Sequence, residues 1–237
     1  MNAPAFADPR DVVAMAFGLG LLVGSFLNVV VHRLPRGESV VTPRSRCPAC
    51  ARPIGALENV PVLSWICLRG RCRGCGAPIP LRYPAVELAT GVVFAAITAV
   101  HGPRPETLAF FVFAALLLSA AAIDFDHQLI PDEISVGGLA AGLVLAPGAA
   151  WLEGSPLPDA LLESAAGAAL GFSCLWIVGF LHARVSAAVG RTFPHWPGEG
   201  EGFPAIRSLD YWTWFPGMGF GDVKLAAMIG AFLGPLG

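Results

Sequence analysis

The chain has 237 residues, of which 55% are hydrophobic and only 14% are charged, and its formal net charge is −2. A soluble globular domain usually carries about 25% charged residues. This deficit excludes an ordinary soluble domain, because the uncharged residues are grouped in segments of the length that crosses a bilayer.

Five apolar segments approach the roughly 20 residues that a helix needs to cross the bilayer core. In chain order they are 12–31, 85–100, 107–123, 134–152 and 164–181. The second carries one acid, Glu87, and the other four carry no charged residue. A further run, 225–237, has 13 residues, which is short for a span, and we expect the helical bundle to continue beyond this chain. The sequence predicts an all-α polytopic membrane protein with about six transmembrane helices.

Arginines are concentrated after the first span. Of the 15 Lys and Arg residues, nine lie in 33–82, and the positive-inside rule therefore predicts that this loop is cytosolic. The N-terminus is then outside, and the later connections alternate between the two sides. In chain order they are 101–106 outside, 124–133 cytosolic, 146–163 outside and 182–221 cytosolic. Asp124 and Asp222 are consequently predicted to face the same cytosolic side.

Asp124 follows the third span directly and is the acid of IDFDHQLIPD most closely attached to a helix. An ionisable group at the end of a membrane helix favours a functional role. Solvation among lipid headgroups is an equally open interpretation for Asp124, Asp126 or Asp132 taken singly. We expect Asp126 and His127 to lie beyond the helix in solvent, and Asp132 and Glu133 to complement the dipole of the fourth span.

Asp222 stands before the last apolar run, in GMGFGDVKL. The preceding glycines, Gly217, Gly219 and Gly221, allow positive φ or the close approach of another backbone or an extended substrate. An aspartate here also suits a helix N-cap, and the two interpretations are compatible. The glycine spacing is not that of a dinucleotide-binding motif or a P-loop.

Asp124 and Asp222 would form an aspartate pair if the fold brings them together. Two adjacent carboxyls cannot both ionise, so they share one proton. The charged member can then act as a general base on water, while the protonated member polarises a peptide carbonyl. This arrangement predicts aspartic protease chemistry, which needs no metal, covalent nucleophile or cofactor.

The predicted cytosolic loop contains a short internal repeat, CPACARPI at 47–54 and CRGCGAPI at 72–79. Paired C-x-x-C motifs supply four thiolates for a closed, structural tetrahedral Zn²⁺ site. The predicted ligands are Cys47, Cys50, Cys72 and Cys75. Flanking arginines, which include Arg46, Arg52, Arg71 and Arg73, favour the thiolate form. Disulfides are the alternative, and the cytosolic assignment argues against them. Cys67 and Cys174 fit ordinary apolar positions.

Several motifs together resemble the bacterial type IV prepilin peptidases. They are GSFLNVVVHRLPRG at 24–37, the double C-x-x-C loop, RYPAVELATG at 82–91, IDFDHQLIPD at 123–132 and GMGFGDVKLAAMIGA at 217–231. The resemblance implies a GxGD-type intramembrane aspartic protease of the inner membrane, with Asp124 and Asp222 as its catalytic pair and the four cysteines as its zinc ligands.

The same resemblance implies cleavage of the basic leader from prepilins and pseudopilins at the cytosolic face. It also implies N-methylation of the new N-terminal residue with S-adenosylmethionine, at a site that the sequence does not locate. The expected partners are these substrates and the lipid bilayer, with no nucleic acid.

The sequence divides into three predicted segments. These are a first transmembrane helix at 1–32, a cytosolic zinc-binding loop at 33–82 and an intramembrane protease core at 83–237. The core carries a cytosolic insertion at about 183–216, which is longer and richer in proline and tryptophan than the usual family connector, and we favour a solvated loop over a lid. Two other functions stay open, an ion-coupled transporter and a membrane-anchored zinc module that binds a partner.

Overall fold

The computed structural model describes residues 8–191, 204–216 and 218–235, and within them the chain is almost entirely helical, without a β-strand. The helices are α1 (Pro9–Arg33), α2 (Leu63–Cys67), α3 (Arg82–His101), α4 (Pro105–His127), α5 (Asp132–Leu152), α6 (Leu157–Ala188), α7 (Asp210–Thr213) and α8 (Phe220–Leu233). A short 3₁₀ turn at Leu34–Arg36 precedes the first C-x-x-C repeat, and another at Ala56–Asn59 lies between the two repeats, in what we call the cysteine loop (residues 47–79).

Five described helices are long and apolar enough to cross a membrane: α1 with its following 3₁₀ turn, α3, α4, α5 and α6. The sixth predicted span corresponds to α8, which has 14 residues. Its length of about 21 Å is below the ~30 Å of the hydrocarbon core. The predicted all-α, multi-pass class is therefore confirmed, with five helices of spanning length among the described residues.

The helices extend beyond the apolar segments that predicted them. The fifth predicted span, 164–181, becomes Leu157–Ala188, because polar residues continue the helix on both sides. The expectation that Asp126 and His127 lie beyond the third span is wrong. Helix α4 includes both residues and ends at Gln128, which has a φ of 51° in the left-handed region.

The chain divides into two compact units, with the boundary after Gln128. We call residues 8–128 the N-terminal unit, which contains α1 to α4, and the described residues from 129 onward the C-terminal unit, which contains α5 to α8. The boundary lies inside the predicted 83–237 core.

In the N-terminal unit, two glycines let α1 approach α3 closely. A Cβ on Gly20 would lie 2.6 Å from the carbonyl oxygen of Thr90, and a Cβ on Gly24 would lie 2.7 Å from Cα of Glu87. This G-x-x-x-G spacing is typical of membrane helices whose backbones touch. One turn further, the buried Asn28 donates from Nδ2 to the carbonyl oxygen of Tyr83 at 3.1 Å. Together these contacts fix α1 against the first half of α3.

In the C-terminal unit, α6 and α8 pack in the same way. A Cβ on Gly167 would overlap the carbonyl oxygen of Gly230, and a Cβ on Gly171 would overlap that of Ala226. The buried Ser164 adds a hydrogen bond from its Oγ to the carbonyl oxygen of Ala231 at 2.7 Å. The short helix α8 is therefore held along most of its length by backbone-to-backbone contact with α6.

The described part of the predicted insertion packs against α6. Trp176 donates from Nε1 to the carbonyl oxygen of Trp212 at 2.9 Å, and the ring of Trp212 stacks on that of Phe180 with centroids 5.5 Å apart. The guanidinium of Arg184 lies over the rings of Phe180 and Tyr211, at 4.3 and 3.7 Å. Residues 211–216 therefore pack against α6, whereas most of 205–210 is exposed as expected for a solvated loop, and 192–203 lie outside the described residues.

The two C-x-x-C repeats adopt the same backbone structure. The amide of Cys47 donates to the carbonyl oxygen of Arg52 at 2.9 Å, and the amide of Cys72 donates to that of Ala77 at 2.8 Å. The fifth residue of each repeat is left-handed, with a φ of 56° at Ala51 and 72° at Gly76. The sequence repeat is thus a structural repeat, with alanine in one copy at a position that favours glycine.

We expect Gly230→Ala to destabilise the protein, because the added Cβ would overlap the backbone of Gly167. Backbone atoms cannot move aside as the end of a flexible side chain can. Overpacking of this kind costs about 1–3 kcal/mol. The matched control is Gly137→Ala in α5, where no atom lies within 4 Å of the added carbon. That change should be neutral or stabilise by about 0.5–1 kcal/mol. Thermal unfolding of the detergent-solubilised chain measures both, and equal melting temperatures would contradict the packing.

We expect Ala51→Gly to stabilise the cysteine loop and Gly76→Ala to destabilise it, because a left-handed residue with a Cβ costs roughly 1–2 kcal/mol. A Cβ on Gly76 would contact nothing within 4 Å, so its effect comes from the backbone alone. Hydrogen exchange of peptides from the loop should slow in the first variant and accelerate in the second, by about fivefold or more. A shift in the same direction in both would contradict the repeat.

Candidate active site and metal centre

Asp124 lies in the last turn of α4, which Arg82 of α3 holds in place. Arg82 donates from Nη2 to the carbonyl oxygen of Ala122 at 2.9 Å and forms an ion pair with Asp126 through Nη1. A cation at this position also complements the negative end of the α4 dipole. The turn that carries Asp124 is therefore fixed on both sides of the aspartate.

Among the three aspartates of IDFDHQLIPD, Asp124 differs from the other two. Asp126 pairs with Arg82, and Asp132 pairs with Lys224 of α8. The carboxylate of Asp124 is exposed and has no hydrogen bond or ion pair within the described parts of the chain. Two of the three acids thus form structural ion pairs, and Asp124 does not.

Asp222 lies in the first turn of α8, three residues after the N-cap. The N-cap is Gly219, whose amide donates to Oδ2 of Asp222 at 3.0 Å. The interpretation of Asp222 as the N-cap itself is therefore wrong, because its carboxylate caps from inside the helix. Its other oxygen, Oδ1, has no hydrogen-bond partner in the described structure.

The glycines of GMGFGD act through close approach. Gly219 has a φ of −74°, and Gly221 lies inside α8, so neither adopts positive φ. A Cβ on Gly221 would lie 3.3 Å from Cβ of Ile130 and 3.5 Å from its carbonyl oxygen. Gly221 therefore lets the start of α8 lie against the segment before α5. Gly217 lies outside the described residues.

The four cysteines of the two repeats converge on one point. Their sulfur atoms all lie within 4.8 Å of one another, and Sγ of Cys47 is 3.8 Å from Sγ of Cys75. A tetrahedral Zn²⁺ with Zn–S bonds of 2.3 Å places its sulfurs about 3.8 Å apart, so the cluster fits this ion. Cys67 and Cys174 are outside the cluster, as predicted. The four cysteines are therefore positioned to hold a metal ion.

The pKa values of two of these thiols are shifted in opposite directions. Backbone amides of Cys75 and Gly74 lower the pKa of Cys72 to about 6. The amide of Ala77 also lowers the pKa of Cys75, but the neighbouring sulfur of Cys50 and burial outweigh it, so that this pKa rises to about 11. Cys72 thus favours the thiolate and Cys75 the thiol, and a cation among the sulfurs would favour the thiolate at both.

Glu58 links the two repeats, a role that sequence reasoning missed. Its Oε1 accepts hydrogen bonds from Nη2 of Arg52 at 2.8 Å and from Nη1 of Arg73 at 3.4 Å. The Arg52 bond, followed by one from the Gly55 amide, lowers the pKa of the Glu58 carboxyl. Two of the arginines expected to favour thiolates are therefore paired with this acid, which no motif had distinguished.

Two family profiles cover most of the chain. The Bacterial Peptidase A24 N-terminal domain matches residues 19–101, and the Type IV leader peptidase family matches residues 111–237. No solved structure matches the chain significantly.

Several curated proteins are similar over nearly all of the chain. A Prepilin leader peptidase/N-methyltransferase of Myxococcus xanthus is 41% identical over 98% of this chain and 59% of its own length. One of Burkholderia pseudomallei is 36% identical over 94% of this chain and 69% of its own length. A Type 4 prepilin-like proteins leader peptide-processing enzyme of Escherichia coli is 35% identical, over 96% and 79%.

The chain thus spans about six tenths of the Myxococcus relative and about seven tenths of the Burkholderia one. The second family profile alone covers more than half of the chain, including Asp124 and Asp222. The resemblance predicted from the motifs is confirmed, and the chain belongs to the type IV leader peptidase family.

Proposed function

We propose that this protein is an aspartic endopeptidase that removes the basic leader from type IV prepilins and pseudopilins, with Asp124 and Asp222 as its catalytic pair. One observation carries the proposal. In a member of this family, the carboxylate of Asp124 and one oxygen of Asp222 are free of structural partners, whereas Asp126 and Asp132 are committed to ion pairs. The described contacts thus leave one acid of each motif available.

In the proposed reaction the pair shares one proton. The charged aspartate takes a proton from water as the water oxygen bonds to the carbonyl carbon of the last leader residue, while the other aspartate gives its proton to the carbonyl oxygen. The tetrahedral intermediate collapses as the C–N bond breaks. The departing amine takes a proton from the protonated aspartate, and the charged aspartate takes one from a hydroxyl of the intermediate, so the pair again holds one proton. Either aspartate can start protonated, because the titration belongs to the pair.

The proposed location is the inner membrane, with the N-terminus outside and the aspartates toward the cytosol. The arginine-rich loop at 33–82 supports this orientation through the positive-inside rule. A basic leader would remain on the same side, while the apolar helix of the substrate lies in the bilayer. The proposed orientation is therefore consistent with cleavage of the leader at the cytosolic face.

We also propose that the new N-terminal amine is methylated, because curated relatives carry the name N-methyltransferase. When bound, S-adenosylmethionine supplies an electrophilic methyl group. The amine nitrogen accepts this group and loses a proton, so the reaction needs an unprotonated amine. The name of these relatives supports the methyltransferase activity more strongly than any sequence motif does.

The metal we propose for the cysteine cluster is Zn²⁺ in a structural role. Four sulfur ligands fill a tetrahedral site and leave no position for a substrate or water. The ion would join the two repeats, which Glu58 already links through Arg52 and Arg73. It would therefore organise the loop and take no part in peptide hydrolysis.

Asp124→Asn and Asp222→Asn should each abolish leader cleavage, because each removes half of the acid–base pair; we expect a loss of about 10²–10⁴-fold or more. Asp159→Asn, an acid in the first turn of α6, is the matched control and should cleave normally. Mass spectrometry of a coexpressed prepilin reports leader loss and added methyl in one spectrum. Cleavage by either catalytic variant refutes the pair, and ion flux without cleavage would favour a transporter.

Replacing Cys47 and Cys72 together with serine should remove the bound zinc, because each repeat loses one of its two ligands. The purified wild-type chain should contain one zinc per molecule by elemental mass spectrometry. The control variant, in which Cys67 and Cys174 become serine, should retain it, since both lie outside the cluster. Zinc retained by the first variant would contradict the site, and full dispensability of both aspartates would favour a zinc-binding interaction module.

A further inference from the structure

Residues 205–212, which we call the pre-α8 segment, expose a group of apolar side chains. Ile206 is 67% exposed, Leu209 76% and Trp212 43%. The three residues are neighbours, because Nε1 of Trp212 donates to the carbonyl oxygen of Ile206 at 3.1 Å and the Trp212 amide donates to that of Leu209 at 2.9 Å. Single exposed apolar residues are ordinary on a soluble surface, but a group indicates a medium or a partner that covers them.

The charged residues of α6 indicate where this helix leaves the hydrocarbon core. With 32 residues, α6 is about 48 Å long and exceeds the ~30 Å of the core. The stretch 164–183, between Glu163 and Arg184, contains no Asp, Glu, Lys or Arg and covers about 30 Å. Charge inside the core is costly, so charged side chains mark the ends of a span. Arg184 therefore marks the level at which α6 leaves the core.

The pre-α8 segment contacts α6 on the membrane side of that level. The ring of Trp212 stacks on the ring of Phe180 with centroids 5.5 Å apart, and on the ring of Trp176 with centroids 6.2 Å apart. Phe180 and Trp176 precede Arg184 by about one and two helical turns, or roughly 6 and 12 Å along the helix axis. The guanidinium of Arg184 also lies back over Phe180, at 4.3 Å. Trp212 therefore lies at the boundary of the core, a depth that a solvated loop does not reach.

The chemistry of these residues suits a phospholipid leaflet. Trp is enriched at the membrane–water interface, and the indole N–H groups of Trp176 and Trp212 both donate to backbone carbonyls, so neither needs water. Ile177 and Leu181 of α6 are exposed at the same level, as lipid-facing residues are. Arg207 is exposed and forms no ion pair within the described chain, so its long side chain can reach an anionic lipid phosphate. Lipid therefore matches the apolar group, its depth and its charge.

The residues that follow the pre-α8 segment hold the first turn of α8. Phe215, which is only 5% exposed, packs with Ala183 of α6 and Val223 of α8 in one buried cluster. A Cβ on Gly179 would lie 2.7 Å from Cδ2 of Phe215, so this ring lies directly against the backbone of α6. Val223 follows Asp222 in the chain. A contact between the segment and lipid would therefore act, through one layer of packed side chains, on the turn that carries Asp222.

We propose that the pre-α8 segment is a lipid anchor that fixes the depth of the first turn of α8 in the bilayer. Ile206, Leu209 and Trp212 insert at the boundary between headgroups and acyl chains, and Arg207 meets lipid phosphate. Such binding increases with the apolar area that enters the boundary and with the negative charge of the leaflet. The leaflet is the cytosolic one in the proposed orientation, and the contact does not rest on the proposed reaction.

The test is photo-crosslinking of the full chain in nanodiscs of phosphatidylglycerol and phosphatidylcholine. The photoreactive amino acid p-benzoylphenylalanine replaces Ile206 or Leu209, whose exposed side chains tolerate the change. After irradiation, mass spectrometry should show a mass increase of one phospholipid on the peptide that carries the label. The lipid-facing control is the same label at Leu170 in the middle of α6, and the solvated control is the label at Val41, which is 79% exposed in the 33–82 loop.

The controls separate the possible outcomes. Lipid adducts at 206 and 209, as at 170 and unlike at 41, support the anchor. Adducts at 170 alone show that the pre-α8 segment is solvated, and they overturn the proposal. A crosslink from 206 or 209 to a second copy of the chain, or to a coexpressed prepilin in place of lipid, also overturns it and assigns the apolar group to that protein. None of these outcomes depends on leader cleavage.

A second measurement tests the hold on α8. In the variant that combines Ile206→Ser with Leu209→Ser, the anchor loses two of its apolar side chains, and hydrogen exchange of the 218–225 peptide in the same nanodiscs should accelerate about threefold or more. Exchange in α5 should stay as in the wild type, which shows that the variant is folded. The matched control combines Leu152→Ser with Leu157→Ser, exposed apolar residues at the other end of α6, and should leave the 218–225 peptide unchanged. Equal exchange of that peptide in both variants would overturn the role of the anchor in fixing α8.

Discussion

The structure depends on direct contact between helix backbones at glycines. Gly20 and Gly24 admit α3 to the surface of α1, and Gly167 and Gly171 admit α8 to the surface of α6. In a bilayer no hydrophobic effect drives helices together, so close packing and polar contacts have to supply the association. The first of these contacts also brings Glu87 of α3 within reach of the cysteine loop, where its carboxylate accepts a hydrogen bond from a loop amide at 2.7 Å. The second holds the short helix that carries Asp222. In each unit, the closest contact between helices therefore involves a helix that carries an acidic residue.

A second level of organisation sorts the carboxylates by their partners. Arg82 takes Asp126 and closes the last turn of α4, and Lys224 takes Asp132 beside the first turn of α8. These pairs commit two carboxylates near the proposed catalytic groups to structural contacts. In the cysteine loop, one acid, Glu58, forms ion pairs with two arginines, Arg52 and Arg73. Among the three aspartates of IDFDHQLIPD, these pairs leave only Asp124, to which we assign chemistry.

Much of the fold and the metal centre could be predicted, for reasons that particular residues make clear. Uncharged runs of bilayer length located the five long helices, and repeated C-x-x-C motifs located four cysteines that do converge. Helix ends were less predictable: Asp126 continues α4 because Arg82, 44 residues away, compensates its charge. Glu58 and the contacts of Glu87 depend on tertiary neighbours and have no motif. The G-x-x-x-G spacings at 20–24 and 167–171 are visible in the sequence, but the sequence does not show which helices these glycines contact. The pairing of Asp124 with Asp222 stays a prediction.

The convergence of the cysteines has one more consequence. Cys47 and Cys72 also line a cavity between the end of α1, the start of α3 and the two cysteine repeats, so one wall of this cavity and the metal centre are built from the same backbone. A metal ion held by the cluster would therefore also fix the conformation of this cavity wall, and its removal by a chelator would loosen the wall and the cluster together.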